Sequence, residues 1–224
     1  MTDASLAQFE LIPVKTRIIT PDDDIVDIVE EYAKNIVAPD DVISVAESVI
    51  AISQGKLIKH EDMKVNFLAK ILCRFVPQKG SLSSIYGMQA AMDAHGTWRV
   101  FFAMLAGLAG KVVGKHGLFY ELAGRQAALI DDVTGNMPPF DKYLVYGPDN
   151  PDGVAESIKE RLSCYGVAVA DVNDLKRAAI LGITEGLDKS ELSRILIDNP
   201  FGNASEKTPI VIIKNYAKIK SKSA

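Results

Sequence analysis

Apolar residues recur along this chain at two spacings, every second position or every third to fourth, and the switches between them mark strands and helices. FELIPVKTRII, residues 9–19, predicts an opening strand with Pro13 at an edge or bend. In TPDDDIVDIVEEYAKNI, Ile25, Ile28, Val29 and Tyr32 fall at helical spacing. Thr20 is the expected cap of that helix, with Pro21 in its first turn and acids near its positive end. DDVISVAESVIAISQGKLI then reads as a strand running into a helical or bent segment that stops at Gly55.

Residues 60–76 and 83–115 carry helical periodicity. GLFYELAGRQAALID predicts two short strands around Ala123, Gly124 and Arg125. KYLVYG is a strand within a turn-rich stretch, GVAESIKERLSCYG a helix stopped by Gly166, and VAVADV a buried strand. Asp171, Asp174, Glu185 and Asp188 surround a further short apolar strand. LDKSELSRILIDN is a helix ended by Asn199 and Pro200, TPIVIIKN is the last strand, and the basic tail YAKIKSKSA is expected to fray. No internal repeat is evident. The pattern predicts a mixed α/β or α+β fold, its sheets mixed and its helices flanking them. It would form a single domain over 1–224 with two lobes, about 1–135 and 136–224.

With 48% hydrophobic and 24% charged residues in 224, the chain has material for a sizeable core and a soluble surface. A net charge of −4 argues against a general nucleic-acid binder, so no nucleic-acid partner is expected. Cys73 and Cys164 lack any zinc-type spacing and sit among apolar residues, which predicts buried, reduced thiols. The apolar stretch VFFAMLAGLAG, 11 residues, is short of the roughly 20 that span a bilayer. It is read as a core or subunit-interface helix, with no membrane partner. MTDASLAQFE has no basic region leading into an apolar core, so no signal peptide and a cytoplasmic location are expected. No GxxxxGK[ST], strand-borne GxGxxG or GxSxG occurs, which removes the usual phosphate-loop, dinucleotide and nucleophile-elbow signatures. His60, His95 and His116 are not spaced as zinc ligands; His116 and Lys115 either line a pocket or serve the surface.

Acids at strand ends are the candidate chemistry. Asp131 and Asp132 end QAALIDD, and Asp171 and Asp174 end GVAVADVND. A rigid strand holding a carboxylate at a sheet edge suits Mg²⁺ or Mn²⁺, which take oxygen ligands completed by water and phosphate. The same residues also suit ordinary turns. Glu185 would add a third oxygen ligand, although Thr184 or Asp188 beside it could simply cap the next helix. Lys176 and Arg177 either neutralise transferring phosphates or are plain surface charge. The loop DNPFGNASEKTP, residues 198–209, is long for a compact domain and offers Asn203, Ser205, Glu206 and Thr208 as polar groups for a ligand.

Taken in order, FELIPVKTRIITPDDDIVDIVEEY, DDVISVAESVIAISQGKLI, GPDNPDGVAESIKERL, GVAVADVNDLKR, GITEGLD and TPIVIIKN resemble the coenzyme F420-0:L-glutamate ligase (γ-glutamyl ligase) family. The resemblance implies an α+β fold of two intertwined lobes in a homodimer. It implies GTP as co-substrate, Mn²⁺ or Mg²⁺ with a monovalent cation such as K⁺, and L-glutamate. The acceptor would be a small carboxylate such as a deazaflavin precursor, activated as an acyl phosphate before the glutamate amine attacks. Carried over by motif, Asp131, Asp174 and Glu185 would bind metal and Asn173 with Asp174 the nucleotide, to which Asn203 and Thr208 of the long polar loop are added as candidates. Lys176 and Arg177 would then stabilise the transferring phosphoryl group. The family's Asp-Arg-Ser-Asn string after Ala-Gly is replaced here by RQAALIDD, and the helical region 83–115 has no family counterpart in the resemblance. Those departures also leave room for a non-catalytic nucleotide- or metal-binding protein on the same scaffold.

Overall fold

In the computed structural model, the structure describes residues 9–76, 81–115, 117–124, 130, 139–140, 142–174, 176–202 and 205–223. The expected candidates Asp131, Asp132, Asn203 and His116 lie outside them. Two compact units divide the chain: Met1–Gly55 with Pro148–Ala224, and Lys56–Gly147. The boundary anticipated near residue 135 thus falls inside the second unit.

The first unit is built on a five-stranded mixed sheet. Its strands are β1 (Leu11–Val14), β2 (Val42–Ala46), β5 (Gly166–Asn173), β6 (Arg177–Ile183) and β7 (Ile210–Ile213), in the order β1-β7-β2-β5-β6. The β2–β5 pair is parallel and the other three pairs are antiparallel. Val42–Val45 and the whole of β7 are buried, the near-continuous apolar runs expected where both faces of a sheet are covered. One face packs Phe9, Leu192, Leu196, Phe201 and Tyr216 against Val42, Ala168 and Val211.

Helix α1 (Ile25–Ala33) starts later than its sequence suggested. Asp24, not Thr20, is the cap and accepts from the Val26 amide at 2.7 Å. Thr20 instead closes a turn with Asp23, whose carboxylate also takes the Arg17 guanidinium at 2.8 Å. That charge-assisted pair holds the Asp23 carboxyl far below the usual carboxylate range. Helix α2 (Glu47–Ser53) follows β2 without a loop. Helix α7 (Pro151–Leu162) begins with Pro151 at its first turn. Gly182 lets β6 pass beside that start, since an added Cβ would lie 2.5 Å from the Pro151 carbonyl carbon. Helix α8 (Lys189–Ile195) is capped by Asp188, which accepts from the Glu191 amide at 2.7 Å.

The basic tail does not fray: Tyr216–Ser223 forms helix α9. Tyr216 anchors it, buried and donating to Glu191 at 2.7 Å, while Lys220 pairs with the same carboxylate at 2.9 Å. Composition alone marks the tail as solvated; one aromatic at its start reverses that outcome.

The second unit holds the antiparallel pair β3 (Leu57–Lys59) and β4 (Tyr143–Val145) with helices α3 (Phe67–Leu72), α4 (Ile85–His95), α5 (Thr97–Val112) and α6 (Leu118–Ala123). Its core gathers Leu72, Met88, Met92, Val100 and Leu144. The single helical stretch expected over 83–115 is broken at Gly96, whose φ of 88° suits glycine and turns the chain between α4 and α5. The expected strand at residues 118–123 is a helix. It packs on α5 where Gly107 leaves room; a Cβ there would meet the Phe119 Cβ at 2.8 Å. Both cysteines are free and buried, and burial pushes the Cys164 thiol up to about 11.

Candidate active site at one end of the sheet

Because β2 and β5 run parallel, their carboxyl-terminal ends lie together, and the antiparallel neighbours bring the start of β6, the start of β7 and the end of β1 to the same edge. Ligands of sheets with adjacent parallel strands gather at such carboxyl ends. The register ends with Ala46 opposite Ala170, so the next residues follow side by side, Glu47 opening α2 and Asp171 continuing β5. Strand alternation puts Asp171 and Asn173 on one face of the β5–β6 hairpin, and their partners Ala179 and Arg177 share that face.

Asp171 is half-buried, and its desolvation raises the carboxyl above its ordinary range. It has no hydrogen-bond or ion-pair partner among the described residues. A carboxylate removed from water without a protein partner gains from any cation or proton brought to it. Arg177 is exposed at the start of β6 and likewise has no ion-pair partner among the described residues.

The other expected residues divide. Asp174 lies on the turn after β5, exposed, and accepts from the Asn199 amide at 2.6 Å. Asn199 also donates to the Gly202 carbonyl at 3.1 Å, so Asp174 helps hold the loop that leads into β7. Lys176 has a left-handed backbone, φ 58°, and forms an ion pair with Asp198. Thr208 donates to the Phe201 carbonyl at 2.5 Å, a contact internal to the same loop. Asn173, Asp174, Lys176, Arg177 and the start of β7 are therefore brought to one edge.

Glu185 is not among them. Strand β6 runs its full seven residues between Arg177 and Ile183, which sets Asp174 and Glu185 roughly 20 Å apart at opposite ends. Glu185 is exposed there, and its amide donates to Glu156 at 3.2 Å. No three His, Cys, Asp or Glu side chains among the described residues converge as a metal site. The strand ends do bring the backbones of Glu47 and Asp171 to the same edge. One or two carboxylates completed by water and phosphate are what Mg²⁺ or Mn²⁺ takes.

Glu47 escaped the sequence reading because it opens a helix directly after a strand, with no turn residue to mark the strand's end. Only the parallel pairing across more than a hundred residues shows that it neighbours Asp171.

Fold and site together define an α+β protein whose polar machinery sits at the carboxyl ends of a parallel strand pair inside a mixed sheet. A family model of F420-0:gamma-glutamyl ligase matches residues 13–173, and the chain belongs to that family, a family of ligases. The match ends at Asn173, so it includes Glu47 and Asp171 and stops short of Asp174 and Glu185. No curated protein matches the chain.

Proposed function

We propose that this protein is a carboxylate–amine ligase that adds L-glutamate to a small carboxylate acceptor of the coenzyme F420-precursor type, using GTP. The observation that supports it most is Asp171, a desolvated carboxylate without a protein partner, at the strand edge that also bears Glu47 and Arg177. Family membership supplies the reaction class.

The chemistry runs in two balanced steps. An acceptor carboxylate oxygen attacks the γ-phosphorus, the bond to the β-phosphate oxygen breaks, and GDP leaves. The glutamate nitrogen then attacks the acyl carbon, phosphate departs with the acyl C–O bond's electrons, and the nitrogen loses a proton. Arg177, a cation on this edge without an ion-pair partner among the described residues, would accompany charge on the moving phosphoryl group, a largely electrostatic task. Lys176, tied to Asp198, positions the turn instead. Asp171 and Glu47 are the residues that would hold a Mg²⁺ or Mn²⁺, which when bound supplies further neutralisation of the phosphates. Asp174, through Asn199, holds the loop carrying Thr208 against the edge.

The test is release of phosphate from GTP by the purified chain with Mg²⁺ or Mn²⁺ and K⁺, with and without L-glutamate and a deazaflavin acceptor. Turnover that requires both glutamate and acceptor is the expected result. Nucleotide binding with no acceptor-dependent turnover would replace the ligase with a binding protein on the same scaffold.

A further inference from the structure

One face of helix α5 lines a cavity of about 190 Å³. Met104, Gly107, Leu108 and Lys111 follow one another by three, one and three residues, the spacing that puts all four on one side of a helix. Phe75 and Val76, at the end of the turn after α3, and Leu118 and Phe119, at the start of α6, supply further walls. Every one of these residues belongs to the second unit, so the cavity is formed within one compact body.

The lining is sorted by depth. Val76 and Met104 are buried and Leu118 and Phe119 half-buried, whereas Phe75, Leu108, Lys111 and Lys115 are exposed. An apolar floor thus opens to solvent through a rim that carries two cations. No described lining residue is an acid, and neither lysine has an ion-pair partner among the described residues. A lysine in such a place lays its stem along apolar surface and keeps its ammonium at the water.

Floor and rim select for different parts of one ligand. An apolar floor gives water no hydrogen-bond partners, and a cavity of about 150 Å³ of that kind stays dry and takes benzene. At about 190 Å³ there is room for one ring or two fused rings, well below a drug-sized molecule or a peptide helix. Phe75 and Phe119 in the walls favour an aromatic body, whose edges and faces pair with theirs. The rim sets the sign of the head: two ammonium groups attract an anion, repel a cation and add little for a neutral group.

We propose that this cavity binds a small aromatic carboxylate, its ring on Val76 and Met104 and its carboxylate at Lys111 and Lys115. The probes are naphthoate and its uncharged counterpart naphthylmethanol, each titrated into the full chain while the methyl resonances of Met104, Leu108 and Leu118 are followed. Both should shift those methyls, naphthoate at the lower concentration, and added salt should weaken naphthoate alone. Lys111→Gln with Lys115→Gln should weaken naphthoate about tenfold, to the level of the alcohol, and leave the alcohol unchanged. Leu108→Trp, which sets an indole at the mouth from an exposed position, should abolish both while the melting temperature holds. Naphthoate that leaves the three methyls unmoved overturns the proposal. So does equal affinity for the two probes, or naphthoate binding that survives the loss of both lysines. Shifts of the same methyls that grow with protein concentration alone would assign the cavity to a side chain of a second copy and overturn it as well.

Discussion

Two acids at opposite ends of the five-stranded sheet, Asp41 and Asp171, are held differently. At the end where β7 finishes and β2 begins, Asp41 is fully buried and fully engaged. It pairs with Lys214 at 2.5 Å and accepts from the Asn215 and Ala38 amides at 2.7 and 2.8 Å. Asp40 pairs with Lys218 at 2.7 Å, and Asp188 caps α8. At the opposite end, Asp171 is withdrawn from water and has no partner among the described residues. An acid whose desolvation is offset inside the fold is a structural part. One whose desolvation is left open is available to a ligand, and the difference is in partners, not in residue type.

Substitutions can break or sharpen that contrast. The largest effect is expected from Asp171→Asn, which should cut acceptor-dependent turnover by roughly 10²–10⁴, the range for a carboxylate handling a proton or charge at the reacting centre. The same change should not destabilise the fold. A carboxyl raised by burial stabilises the native state only while protonated. Its contribution is complete below the unfolded value of about 3.9 and is lost as pH rises through the higher folded value. Removing the charge therefore leaves stability at neutral pH equal or higher, and melting curves of both proteins across acid and neutral pH check the sign.

Asp41→Ala should do the reverse. Leaving Lys214 and two amides without their acceptor costs about 3–5 kcal/mol, read from denaturant midpoints, and lowers activity only as the folded fraction falls. Glu191→Gln is smaller, about 1–3 kcal/mol, because Tyr216 keeps an acceptor while Lys220 loses its charge partner. Loosening of α9 would appear as faster amide exchange at its residues. Smallest of all is Glu185→Ala, within about 0.5 kcal/mol and without effect on turnover, as an exposed side chain at the structural end should behave.

Much of this architecture was legible in the sequence. The apolar runs VISVA, VAVAD and IVII announced β2, β5 and β7, and the helical stretch GVAESIKERL and the Asp188 cap announced α7 and α8, because each is a local cue. The chain also shows why the acids of LIDD and VADVND stood out, since strand ends are visible as abrupt changes from apolar to charged. What local cues do not contain is which strand ends meet. Glu47 and Asp171 are neighbours only through the parallel β2–β5 pairing. Glu185 could have been set apart from Asp174 by length alone, since the apolar strand between them is seven residues of extended chain. The helix at Leu118–Ala123 was hidden for another reason: its aromatic residues favour strands in isolation, and packing against Gly107 of α5 decides otherwise.

The most direct test of the contrast is a side-by-side assay of GTP turnover dependent on L-glutamate and acceptor for the parent chain, Asp171→Asn and Glu185→Ala, each normalised to folded protein. Loss of turnover in Asp171→Asn with parental turnover in Glu185→Ala is the predicted result. Parental turnover in Asp171→Asn, or its loss in Glu185→Ala, would place the reacting centre at the other end of the sheet and contradict the account.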